Sequence, residues 1–152
     1  MTFNATCVDW ETTKHKLRKI REKVFVCEWR IPSEYEFDQQ DELAFHILVI
    51  DENKQEIATG RITPQGEIGR IAVEPKFRGP EVYQILFNAL LNIARQHGLE
   101  SVLVQCELEG VEYYRQQGFN PVGTVYMDAG TPRQRMSCSL SDFSLERVEL
   151  TH

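Results

Sequence analysis

From Pro80 onward the apolar residues Val82, Ile85, Leu86, Ala89, Leu90 and Ile93 fall at i, i+3, i+4, i+7, i+8 and i+11. Only an α-helix brings that spacing to one face, and Gly98 stops it. A β-branched run stands on each side of this helix, Glu67 to Val73 before it and Ser101 to Cys106 after it. Strand, helix and strand in such close succession predict a crossover in the middle of a mixed sheet.

The remaining elements arrange themselves around that crossover. Leu17, Ile20, Val24 and Cys27 predict an amphipathic helix over 12–28. The stretch from Arg30 to Glu42 breaks the pattern at Pro32 and carries Glu34, Glu36, Asp38, Asp41 and Glu42, so it reads as a long acidic loop with a substrate-facing or merely solvated role. The runs Ala44 to Ile50 and Ile57 to Ile62, separated by Asp51-Glu52-Asn53-Lys54, read as a hairpin, and the 67–73 strand adds a third antiparallel partner. His46, inside the first run, reads as a structural sheet residue rather than a base. Gly110 to Gln117 reads as a short helix closed by Gly118, followed by strands from Val122 to Met127 and from Arg135 to Leu140 around the turn Asp128 to Pro132. The expected fold is α/β, with a mixed, mostly antiparallel central sheet flanked by helices.

A chain of 152 residues fits one domain over 1–152. Nothing in the tail 141–152 decides between a dimer arm and a disordered end, so a homodimer is left open. No run reaches the roughly 18 apolar residues of a membrane span, and the start at Met1 lacks a signal-peptide layout, so a cytoplasmic protein with no membrane partner is expected. The net charge of −6 argues against a nucleic-acid partner, because counterion release needs a basic stripe. The cysteines at 7, 27, 106 and 138 form no Cys-x-x-Cys pair, so no metal site or disulfide framework is expected and they read as reduced, mostly core thiols. Arg70, Lys76 and Arg78 make a small basic cluster, and the segment Ile68 to Gly79 leads directly into the start of the strong helix, where backbone N–H groups hold anions.

The order strand, Val73-x-Pro75-x-Phe77-Arg78-Gly79, helix resembles the acetyl-CoA-binding motif of the GNAT N-acetyltransferases. Tyr113-Tyr114-Arg115-Gln116-Gln117-Gly118-Phe119 is similar to a second signature of that family, Phe-Tyr-x-x-x-Gly-Phe. Phe25 to Pro32, Glu36-x-Asp38-x-x-Asp41, Phe45-His46 and Val125 to Pro132 resemble its ElaA-like branch. The resemblance covers about 12–140 and implies the GNAT fold and transfer of an acetyl group from acetyl-CoA, as co-substrate, to the primary amine of a small molecule or peptide. It implies that Ile71, Ala72 and Val73 bind the pantetheine arm through their backbone and that Arg78, Gly79, Pro80, Glu81, Val82 and Tyr83 surround the pyrophosphate. Tyr114 would protonate the leaving thiolate, and Glu67 or a water chain would take the amine's proton.

One segment departs from the family pattern. The loop usually reads Arg-Gly-x-Gly-x-Gly/Ala, whereas Arg78-Gly79-Pro80-Glu81-Val82-Tyr83 has lost both later glycines. Pro80 has no N–H, Tyr83 has the bulk to fill the phosphate's space, and the Glu81 carboxylate about 5 Å from a phosphate would cost about 3 kcal/mol at an effective dielectric near 20. Glu81 equally suits the first turn of an empty helix. Two functions are compatible with these residues: an acyl-CoA-dependent N-acyltransferase, and a GNAT domain that has lost catalysis and serves as a binding or regulatory module.

Overall fold

The computed structural model describes residues 2–128 and 130–141. Within them lie the strands β1 (Asn4–Val8), β2 (Phe45–Ile50), β3 (Glu56–Ile62), β4 (Glu67–Val73), β5 (Ser101–Glu107), β6 (Asn120–Asp128) and β7 (Thr131–Ser139). They form one sheet in the order β1-β2-β3-β4-β5-β7-β6. Every neighbouring pair is antiparallel except β4 and β5. This is the mixed sheet expected from the sequence. Its parallel pair exists because the helix over Pro80–Gln96 carries the chain from one strand to the next.

Helices cover both faces, which explains why β2 reads as an unbroken apolar run. Ile47 and Val49 point into the core built with Leu86, Leu90 and Leu91 of the crossover helix, while Leu48 points the other way onto Trp10, Leu17 and Ile20 of α1 (Trp10–Arg21). The crossover helix lies close over β3 at Gly60. A Cβ there would come within 3.3 Å of a methyl carbon of both Leu86 and Leu90. The 12–28 helix starts earlier than expected, where the Asp9 carboxylate accepts from the Thr12 N–H at 3.2 Å. It changes winding at Glu22 and runs on as a π-helical segment to Glu28. β1 carries no signal in the sequence, because five residues with three exposed show neither an apolar run nor a clean alternation.

The acidic stretch is not a solvated loop. It holds two single turns, α2 (Ser33–Glu36) and α3 (Gln40–Leu43), and folds Glu36 and Asp41 inward to 2% and 1% exposure. Arg21 explains the difference. It sits on the buried stripe of its helix between Leu17 and Val24, and its guanidinium meets Glu36 Oε1 at 2.8 Å, Asp41 Oδ1 at 2.7 Å and the Glu36 carbonyl at 2.9 Å. Arg61 of β3 reaches Asp41 and Asp38, both at 2.8 Å. Burial pushes Asp38 and Asp41 up, but their guanidinium bonds outweigh it and hold both below the usual carboxylate range; for Glu36 burial wins and its pKa is raised. His46 packs beside this network, stacked on Trp10 and bonded through Nε2 to the Asp41 carbonyl at 2.8 Å.

Two smaller expectations also change. Cys106 and Cys138 are core thiols, but Cys7 and Cys27 are exposed. The last hairpin is longer than expected, with Asp128 already paired to Thr131. Of the tail, only Ser141 falls within the described residues.

Candidate active site

β4 and β5 pair at just two positions, Glu67 with Leu103 and Ile68 with Val104, although β4 continues to Val73 and β5 to Glu107. The cause lies on the opposite edge of β4. Thr59 faces Ala72 and Arg61 faces Gly69, so Gly60 of β3 stands against two residues, Arg70 and Ile71. Such a bulge bends the strand that carries the extra residue and sharpens its twist, which turns β4 away from β5. Arg70 adopts φ 50°, a left-handed conformation costing about 1–2 kcal/mol for an L-residue. Its guanidinium is held by the Tyr35 carbonyl at 3.3 Å, the Glu36 carbonyl at 3.0 Å and Asp38 at 3.2 Å. The acidic segment therefore anchors the bulge that opens the sheet. The same contacts remove Arg70 from the basic cluster with Lys76 and Arg78.

A cavity of about 260 Å³ occupies the opening. Gly69, Arg70 and Ile71 line it from β4, Val104 and Gln105 from β5, and Phe25, Trp29 and Ile31 close it from the π-helical segment and the turn after it. Glu67 sits at the root of the split. Its carboxylate accepts from the Gln105 amide at 2.5 Å, and the Gln105 amide oxygen accepts from the Tyr126 hydroxyl.

Tyr114 reaches the cavity from the helix Val111–Gln116. The signature around it is a helix cap in physical terms. Gly118, at φ 101°, donates to the Arg115 carbonyl at 3.1 Å, and Phe119 donates to the Tyr114 carbonyl at 3.0 Å. This cap sets the buried Phe119 ring against Tyr114, with centroids 5.3 Å apart. Burial raises the Tyr114 pKa, and the neighbouring Cys106 and Tyr113 add to the effect.

Beyond Val73 the chain turns through Pro75–Phe77 into α4 (Pro80–Gln96), whose first turn offers the backbone N–H groups of Glu81, Val82 and Tyr83. Space beside Gly79 is open, since a Cβ there would meet nothing within 4 Å. The Tyr83 hydroxyl comes near enough to Arg78 and Glu28 to feel both charges, while its ring packs inward. The residue lies in the core at 9% exposure, next to Val82 at 2%, while Glu81 is exposed. The carboxylate standing on Arg78 belongs instead to Glu28. It receives Nη1 at 2.7 Å and Nη2 at 2.5 Å while Arg78 Nε bonds the Val73 carbonyl at 2.8 Å.

The geometry thus brings Glu67, Ile71 and Tyr114 to one cavity and places Ala72, Val73 and the 78–83 turn at its continuation. Sequence reasoning missed Gln105, Glu28, Trp29 and the Arg21 network. Arg21 left a signal as a cation on an apolar stripe, while Glu28, Trp29, Glu36, Asp38 and Asp41 stand inside the ElaA-like pattern with no role assigned by it. A larger groove of about 630 Å³ runs along α1, but no side chain of β5 or of the Tyr114 helix lines it, and two of its three lysines are paired, Lys16 with Glu56 at 3.6 Å and Lys23 with Glu74 at 2.6 Å.

Known proteins share this fold. The family described as Acetyltransferase (GNAT) domain matches residues 22–140. The uncharacterized N-acetyltransferase YjcF of Bacillus subtilis is 30% identical over 121 residues, covering 77% of this chain and 86% of its own. The crystal structure of Escherichia coli ElaA superposes with a TM-score of 0.75 at 25% identity, over 90% of this chain and 99% of that one. An acyl-CoA N-acyltransferase from Pseudomonas aeruginosa has the same fold, with a TM-score of 0.78 at 23% identity over 90% and 99% of the two chains. The extent of the family match, together with YjcF, shows that this chain belongs to the GNAT acetyltransferase family.

Proposed function

We propose that the protein is an N-acetyltransferase that passes the acetyl group of acetyl-CoA directly to a primary amine. The observation that carries this reading is the split between β4 and β5, with Tyr114 at its floor and the start of α4 beyond its far end. Past Ile68 the β5-side edge of β4 has no ladder partner among the described residues, which supports the backbone of Ile71, Ala72 and Val73 as the holder of a pantetheine arm, the Val73 carbonyl being freed when Arg78 moves. The N–H groups after Pro80 and the Arg78 guanidinium would receive the pyrophosphate, once Glu28 yields.

The amine arrives as an ammonium ion and gives one proton to Glu67. Its nitrogen lone pair then attacks the thioester carbonyl carbon. The C–N bond forms, the C–S bond breaks, and the sulfur leaves with the bonding pair, taking the Tyr114 proton to become a thiol. The phenolate recovers a proton from the nitrogen, which ends as a neutral amide, and Glu67 returns its proton to water. Tyr114 acts as general acid and Glu67 as general base. A thiol leaves readily, with a pKa near 8.5, so a single positioned donor is sufficient.

One observation favours the alternative of a binding or regulatory module: the Glu28 carboxylate already occupies Arg78. Replacing Tyr114 separates the two readings. Tyr114→Phe is expected to lower kcat by about 10²-fold or more, the usual contribution of a general acid, with the acetyl-CoA dissociation constant nearly unchanged. An equal rate in the variant would reduce Tyr114 to a packing residue.

A further inference from the structure

The side chains around the cavity define the kind of amine it accepts. The acidic segment, five carboxylates within 34–42, reads in the sequence as a substrate-facing or merely solvated loop. In the structure three of these carboxylates are neutralised from within. Glu36 and Asp41 bond Arg21, Asp38 and Asp41 bond Arg61, and Arg70 pairs with Glu36 and Asp38, so three cations stand against three anions. At the mouth Asp128 pairs with Arg133 at 3.2 Å. Among the described residues lining the cavity, Glu67 is then the one carboxylate held by an amide and not by a cation. One uncompensated negative charge matches one ammonium group.

The walls add a second requirement. Phe25, Trp29 and Ile31 face Ile68, Ile71 and Val104 across the cavity. Trp29 is 53% exposed, so its ring is open to a ligand in the cavity it lines, and it stands edge-on to Phe25 with centroids 5.2 Å apart. At about 260 Å³ the space lies below the roughly 300–1,000 Å³ of pockets for drug-sized ligands, and the acetyl end must share it.

Building on the transferase reading, we infer that the acceptor is a small monoamine on an apolar, aromatic or branched body, with its ammonium at Glu67 and its body against Trp29. Polyamines and aminoglycoside-like polycations are disfavoured, because inside the cavity their further charges would meet apolar side chains or the lining carboxylates Glu36 and Asp128, which already have partners.

Calorimetric titration of the full chain with 2-phenylethylamine and with spermidine tests this without depending on acetyl-CoA. The expected result is saturable binding of 2-phenylethylamine and at least tenfold weaker binding of spermidine. Glu67→Gln should weaken 2-phenylethylamine at least tenfold. Trp29→Ala, at an exposed position that folding tolerates, should weaken 2-phenylethylamine at least fivefold while leaving methylamine unchanged. Spermidine binding as tightly as 2-phenylethylamine would overturn the inference, as would unchanged affinity in either variant. Acetyl-CoA is titrated separately; its failure to bind would count against the transferase reading, whereas the amine results bear on the acceptor cavity alone.

Discussion

At the scale of single residues, the contact with the most direct consequence is Glu28 on Arg78. The sequence draws attention to Glu81, three residues from Arg78, as the charge that would oppose a phosphate. The competing carboxylate comes from fifty residues away, a distance along the chain that no local pattern reports. With both partners partly exposed, the pair contributes no more than the usual 0–1 kcal/mol of a surface ion pair. An anionic ligand must displace it, so Glu28→Gln is expected to tighten acetyl-CoA binding about three- to fivefold, read by calorimetry. Weaker binding in that variant would mean that Glu28 orients Arg78 rather than competing for it. Tyr83 changes meaning in the opposite direction. Its ring is core while its hydroxyl feels Arg78 and Glu28, so truncating it would open a cavity in the core as well as change the surroundings of Arg78.

At the scale of elements, the buried network of Arg21, Glu36, Asp41 and Arg61 ties α1, α2, α3 and β3 together and, through Arg70, holds the bulge in β4. Removing one partner of a buried ion pair strands the others. Arg21→Leu should therefore cost about 3–5 kcal/mol of stability in denaturant melts, far more than the loss of an exposed arginine. A value below about 1 kcal/mol would show that the network does not hold these elements. The neighbouring His46 adds a dependence on pH. Burial lowers its folded-state pKa, so the unfolded chain takes a proton near pH 6.5 that the folded chain refuses. Its contribution to stability is complete above about pH 6.5 and falls as the pH drops below it. Glu36, with its raised pKa, acts with the opposite sign at lower pH, and it acts equally in a His46 variant. The drop in melting temperature between pH 7.5 and 5.5 is thus expected to be larger in the wild-type chain than in His46→Gln. Equal drops would contradict the assignment.

At the scale of the whole molecule, what could be read in advance was whatever is local in sequence. The crossover helix announces itself because six apolar residues share one face, and the Tyr114 to Phe119 signature because a helix cap needs glycine at one position. The β4/β5 split could be anticipated only through the family resemblance, since the bulge at Arg70 depends on the register with β3 and on carbonyls over thirty residues away. For the same reason Gln105 and the inward turn of the acidic segment stayed hidden: each is fixed by partners distant in the chain. The account as a whole rests on the split sheet and the α4 start together forming a working acyl-CoA site. Thermal melting with and without acetyl-CoA tests this most directly. Ligand at about 100 times its dissociation constant adds about 2.7 kcal/mol, which for a chain of this size raises Tm by about 5–10 °C. A rise of that order is predicted, and an unchanged Tm at millimolar acetyl-CoA would contradict it.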